Sequence, residues 1–215
     1  MRHFLNGCLT IALALGGCAT VTGPEAYPDK WASIDLTKVH DGCPTLTGTY
    51  SDRGTASHPQ QLGAPPLLSE VFARMGRRSG RTWPEPTDVK SVQLILEAES
   101  LTVRFLSNSG KQTDLPFRRY HFSLGEKRYD DLFTCYASET GSRLRFLAEP
   151  ESHSGGIPNL YLEGGGTLVF LLRASDGSLI VQWRSESVAI SSVLLGSHIR
   201  FNSVWWKYPP LGAGQ

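Results

Sequence analysis

Thr167-Leu168-Val169-Phe170-Leu171-Leu172-Arg173-Ala174-Ser175-Asp176-Gly177-Ser178-Leu179-Ile180-Val181-Gln182-Trp183 is the stretch whose reading decides the fold. Asp176-Gly177 stands between two apolar runs, at the two positions where a type I′ turn needs φ above zero. The spacing therefore predicts a β-hairpin from Thr167 to about Ile190. Leu168, Phe170 and Leu172 share one face of its first arm, and Leu179, Val181 and Trp183 one face of its second. Beyond the hairpin, about Ile199 to Tyr208 reads as a last strand, with Phe201 and Trp205 on one face and Val204 and Trp206 on the other. Both faces of that strand are expected to be covered.

Working back toward the N-terminus, the same period of two recurs. Val92, Leu94 and Leu96 share a face, as do Leu101, Val103 and Phe105, and Ser107-Asn108-Ser109-Gly110 turns the chain into a strand over Leu115 to Phe122. Pro116 belongs at an edge or bulge, because it cannot donate to a ladder. Phe133 points with Cys135, and Leu144, Phe146 and Ala148 alternate with Arg143 and Arg145. Gly164-Gly165-Gly166 precedes a strand rather than a helix, which favours a hairpin turn over a phosphate loop.

One helix is legible. Pro65-Pro66 can open it, Leu67, Leu68, Val71, Phe72 and Met75 form one apolar stripe, and Gly76 can close it. The stripe suits a helix lying against or plugging a sheet. With about eight to ten strands, one short helix and no alternation of strand with helix, the fold class is mainly β. An antiparallel barrel or a two-sheet sandwich manages so many strand edges, and the pattern does not choose between them. Gly48-Thr49-Tyr50 resembles the glycine–aromatic start of lipocalin barrels, but the tryptophan of that motif and any second lipocalin motif are missing, so no kinship is drawn.

The beginning of the chain reads differently. Arg2 precedes an apolar stretch from Phe4 to Leu15, which is a signal-peptide layout and too short to span about 30 Å of hydrocarbon comfortably. It ends in Leu15-Gly16-Gly17-Cys18, which resembles the lipobox of bacterial lipoproteins: an aliphatic residue and two small ones before the cysteine that becomes the new N-terminus. The resemblance covers about the first twenty residues. It implies cleavage before Cys18, acyl chains on Cys18, and a membrane partner engaged through that lipid, since two or three chains hold stably where one binds marginally. Ala19 follows where an aspartate is absent, which in the enterobacterial pattern implies transfer to the outer membrane, with the domain facing the periplasm.

The expected organisation is a signal peptide over 1–17, a lipidated N-terminus and tether over 18–42, a single β-rich domain over 43–210 and a flexible tail over 211–215. Trp31, Ile34 and Leu36 leave room for partial docking of the tether, and Ser51 to Pro65 reads as a long loop. Losing Arg2 lowers the 21 Lys+Arg of the whole chain by one, to balance the 20 Asp+Glu. That balance gives no electrostatic case for nucleic acid. Arg77-Arg78 and Arg118-Arg119 are short pairs of the kind found on solvated surface.

With Cys8 removed and Cys18 acylated, Cys43 and Cys135 are left. In an oxidising compartment they read as one disulfide closing a loop of roughly 90 residues, worth about 4–5 kcal/mol in the chain-entropy account. Separate buried thiols are the alternative. No cofactor and no metal site is expected: His40, His58, His121, His153 and His198 fall at no ligand spacing, and Glu126, Asp130 and Asp131 lack the calcium-loop pattern. No HExxH, GxSxG or phosphate-loop motif occurs, and no catalytic residue is assigned. Trp205, Trp206 and Tyr208 form the densest aromatic segment, a binding surface or, preferably, core. The reading is a lipid-anchored envelope module that binds or supports assembly with an envelope protein. An envelope hydrolase built from sequence-distant residues, or an enzyme inhibitor presenting the 51–65 loop, is the alternative.

Overall fold

The computed structural model describes residues 20–22, 26–35, 43–57, 64–78, 88–120, 132–138, 141–146, 150–154, 161–191 and 196–212. The signal segment, Cys18, Leu36, His40, His58, His121 and the Glu126–Asp131 cluster lie outside them. The strands are β1 (Thr20–Thr22), β2 (Gly48–Ser51), β3 (Thr55–Ala56), β4 (Val89–Leu96), β5 (Ser100–Ser107), β6 (Gln112–Arg119), β7 (Leu132–Ser138), β8 (Gly141–Phe146), β9 (Pro150–Ser154), β10 (Tyr161–Arg173), β11 (Leu179–Ser191) and β12 (Gly196–Tyr208). One helix, α1 (Leu68–Arg78), lies between β3 and β4 in sequence.

Two compact units are formed. The first comprises Met1–Glu25, Pro150–Thr167 and Arg184–Ser203; the second comprises Ala26–Glu149, Leu168–Trp183 and Val204–Gln215. In the first unit, β1 runs parallel to β12 with Val21 opposite Ile199, and β9 runs antiparallel to β10 with Glu151 opposite Gly165. Gly164-Gly165-Gly166 is thus strand and not the expected turn. Each glycine holds a ladder position opposite β9, and a strand needs no side chain to keep its backbone bonds.

In the second unit a single curled sheet follows the order β12-β11-β10-β8-β7-β6-β5-β4-β2. Its two ends meet. Just past β12, Tyr50 pairs with Pro210, Ser51 N–H donates to the Pro209 carbonyl at 2.9 Å, and Leu211 N–H donates to the Thr49 carbonyl at 2.8 Å. One sheet returning on itself replaces the sandwich alternative. It is also mixed rather than wholly antiparallel, since β6 and β7 are parallel at Arg118↔Leu132 and Arg119↔Phe133. A parallel neighbour requires a crossover of a dozen or more residues, and 120–131 is long enough to make it. Pro116 precedes the point where β7 joins, so its missing N–H costs β6 no bond to that neighbour.

The interior face carries Val92, Leu94, Leu101, Val103, Leu115, Phe117, Phe133, Leu144, Val169, Leu171, Leu179 and Val181, all buried. Helix α1 plugs this face. Leu68, Val71, Phe72 and Met75 join the cluster, and the Phe72 ring packs against Phe117 and Phe146 at centroid distances of 6.4 and 6.2 Å. The helix starts at Leu68, leaving Leu67 exposed, and runs through Gly76 to Arg78. Gly76 therefore does not close it. A single glycine inside a helix costs only about 1 kcal/mol against alanine, less than the apolar face gains by docking.

The β10–β11 hairpin differs from the two-residue form expected. Gly177 N–H bonds to the Ala174 carbonyl, Ala174 N–H to the Ser178 carbonyl, and of the turn residues Gly177 alone takes a positive φ, 81°. This is a three-residue loop with its glycine in the left-handed region. Asp176 keeps a negative φ because its Oδ1 accepts from Ser178 N–H at 3.0 Å, a local turn that needs no left-handed residue. The β5–β6 turn repeats the pattern around Gly110, φ 82°.

On the outer face of β10–β12, Phe170, Leu172, Ala174, Ile180 and Trp205 form a second cluster, covered by Tyr27, Trp31, Ala32 and Ile34. The central hairpin is buried on both faces, which explains its unbroken apolar runs. The covering segment 26–35 is fastened by backbone. Ile34 pairs with Ala174, Asp35 N–H donates to the Arg173 carbonyl at 2.7 Å, and Ser175 N–H donates to the Ser33 carbonyl at 2.7 Å. Part of the stretch expected to be a free tether thus packs as structure, with Trp31 and Ile34 docked as their apolar character suggested.

Candidate functional site

Where the end of the β10–β11 hairpin meets the seam of the sheet, the second unit carries an open cleft of about 500 Å³. Three walls form it. The residues leading into and along β2 make the first, and a local fold holds them: Leu46 N–H donates to the Pro44 carbonyl, and the buried Tyr50 hydroxyl donates back to the Leu46 carbonyl at 2.8 Å. Burial pushes the Tyr50 phenol above its usual range, with the Arg173 charge opposing. Cys43, which begins this segment, is disulfide-bonded to Cys135 on β7. The pairing expected of the two leftover cysteines is present, and it fixes the base of this wall to the sheet.

The hairpin turn forms the second wall, with Gly177 at its tip. A Cβ at Gly177 would lie 3.6 Å from Pro210 Cγ and 3.8 Å from Arg173 Nη2, so turn, proline and guanidinium converge on one opening. The third wall is Pro210-Leu211-Gly212. Leu211 is 43% exposed, one of two large apolar side chains so open among the described residues. Thr47 and Thr49 add hydroxyls to the lining, and Thr47 Oγ1 accepts a hydrogen bond from Leu96 N–H at 3.2 Å.

Arg173 is the charged residue of this lining. Its Nη1 donates to the Thr45 carbonyl at 3.1 Å. The neighbouring turn acid serves another cation: Asp176 Oδ2 accepts from Lys207 Nζ at 2.6 Å. Partial burial raises the Asp176 pKa, but hydrogen bonds from Lys207 and Ser178 outweigh that and hold it below the usual carboxylate range. The cleft keeps a net positive wall.

Comparison with family models, curated proteins and solved structures finds no match to this chain. Its function has to be argued from its own residues. Trp205 and Tyr208 are buried, in the outer and inner clusters respectively, and Trp206 is half-buried, its ring 5.8 Å from that of Trp183. The aromatic segment is therefore packing between the two faces of β12. Tyr208 reaches further: its hydroxyl donates to the Pro66 carbonyl at 2.8 Å, and burial drives its phenol pKa far upward.

His153 and His198 lie on β9 and β12. Among the described residues no group of three His, Cys, Asp or Glu is arranged to hold a metal ion. Of the 51–65 loop, the described part includes β3, which pairs with β12 at Ala56↔Trp206. The cleft was not read from sequence. Its one signal is Arg173, a charge ending the apolar run from Leu168 to Leu172 immediately before a turn.

Proposed function

We propose that this chain is a bacterial lipoprotein of the cell envelope, acylated on Cys18 at the periplasmic face of the outer membrane, whose β unit works by binding. The observation that carries this reading is Leu15-Gly16-Gly17-Cys18 placed directly after the apolar stretch from Phe4. The Cys43–Cys135 disulfide supports it, because such bonds persist in oxidising compartments and are rare in reducing ones. The cleft supports binding over hydrolysis: a guanidinium, threonine hydroxyls and apolar surface suit holding a ligand, and among the described residues no histidine or carboxylate lines it to move protons.

Mass measurement of the N-terminal peptide of the membrane-extracted native protein tests the anchor. The peptide is expected to begin at Cys18 and to carry fatty acyl groups, and Cys18→Ser is expected to leave the signal uncut. A native N-terminus elsewhere, or a Cys18 without fatty acid, would overturn the reading.

A further inference from the structure

We propose that the cleft between the β10–β11 turn and the Pro210-Leu211 seam binds a small ligand through one carboxylate, clasped by Arg173, with the ligand's apolar body against Pro210 and Leu211. This rests on the reading of the β unit as a binding module and names its ligand class.

Two cations of this unit pair with carboxylates. Arg104 on β5 pairs in a fork with Asp114 on β6, Nε to Oδ1 at 2.8 Å and Nη2 to Oδ2 at 2.9 Å, and Lys207 pairs with Asp176. Arg173 differs. Its one protein partner among the described residues is a backbone carbonyl, which takes Nη1, while Asp176, three positions along the chain, is turned to Lys207. A guanidinium has five donors in a planar fork that matches a carboxylate with two parallel bonds, so one bond to Thr45 leaves most of its capacity for a ligand in the cleft it lines.

The remaining chemistry narrows the anion. Among the described residues the lining supplies one cation and no helix N-terminus, enough for a monoanion and short of what a dianionic phosphate group recruits. Thr47 accepts from Leu96 N–H through its oxygen, which leaves the hydroxyl hydrogen to donate to the second face of a carboxylate. Exposed Leu211 and the Pro210 ring provide apolar wall, and 500 Å³ falls in the range of about 300–1,000 Å³ typical of small-molecule sites. The walls are pre-formed: the disulfide and the Tyr50–Leu46 hydrogen bond hold the first, the Gly177 turn the second, and the Leu211 N–H bond to the Thr49 carbonyl the third.

Calorimetric titration of the full-length purified protein in detergent with acetate, N-acetyl-leucine and N-acetyl-alanyl-leucine tests this, alongside N-acetyl-leucinamide and inorganic phosphate. Saturable binding of the acetylated acids is expected, with the amide and phosphate weaker by about tenfold or more, the loss a charge-assisted bond implies. Arg173→Gln is expected to remove binding while Lys111→Gln, on the distant β5–β6 turn, leaves it unchanged. Thr47→Val, which keeps the shape of the site, is expected to weaken it several-fold. Amide or phosphate binding as tight as the acids, unchanged affinity in a folded Arg173→Gln protein, or no saturation by any of the carboxylates would each overturn the proposal. None of these outcomes bears on the N-terminal mass of the native protein, so failure here and failure of the lipid anchor are told apart.

Discussion

Tyr27, Tyr50 and Tyr208 each donate a phenol hydrogen to a backbone carbonyl, of Ala32, Leu46 and Pro66 in turn; the first two bonds are local and the third joins distant segments. All three resist ionisation. Burial raises Tyr27 to about 12, with the Asp176 charge adding to the effect, and burial likewise raises Tyr50 and Tyr208. The folded chain therefore keeps protons that the unfolded chain releases near the ordinary phenol pKa of about 10. Stability is expected to be unaffected by these groups below that pH and to fall as pH rises past it through 12. Thermal melts from pH 9 to 12 check this, and Tyr27→Phe is expected to reduce the slope. A melting temperature flat across that range would contradict the argument. Gly54 fits its place for a related reason: a Cβ there would meet Tyr208 Cδ1 at 2.7 Å and the Lys207 carbonyl oxygen at 2.6 Å.

Helix α1 is a short element that borrows its start from elsewhere. Asp52, in the turn after β2, accepts Leu68 N–H with its carbonyl at 2.9 Å, Ser69 N–H with Oδ1 at 2.7 Å and the Ser69 hydroxyl with Oδ2 at 3.0 Å. A cap supplied across the fold satisfies donors that Pro65 and Pro66 cannot. Burial raises the Asp52 pKa, and the two Ser69 bonds pull against that shift. Asp52→Ala is expected to cost about 1–2 kcal/mol in chemical denaturation. Asp52→Asn, which keeps an acceptor for Ser69 N–H, is expected to cost less; equal losses would show that capping is not what Asp52 supplies. The apolar stripe that packs on the sheet was legible in sequence, because Leu68, Val71, Phe72 and Met75 repeat at helical spacing. The start was not, because Asp52 is brought to Ser69 by the return of β2 along the seam. Likewise the hairpin position was legible from Asp176-Gly177, whereas its loop length turned on one side-chain bond from Asp176 to Ser178.

At the scale of the whole molecule, mainly β character followed from the period of two, but closure did not. It depends on Pro209 to Leu211 meeting Thr49 and Ser51, residues with no pattern to announce a partner. The cleft is a product of that closure, which is why Arg173 alone hinted at it. The Cys43–Cys135 bond spans 92 positions and ties the approach to β2 to β7. Reducing it, or replacing both cysteines with serine, is expected to lower stability by about 4–5 kcal/mol. Denaturation midpoints with and without reductant measure the loss, and a change under about 1 kcal/mol would mean that the closed loop constrains the unfolded chain little.

The pairing of β1 with β12 also sets a working radius. For a chain held in lipid at Cys18, as proposed, the leash runs out where β1 begins at Thr20, and even drawn straight it spans only about 7 Å. A carrier that ferried cargo across the periplasm would need far more slack. If the proposed anchor holds, the molecule is confined to the water layer next to the bilayer, and whatever it captures has to come to the membrane surface to be met.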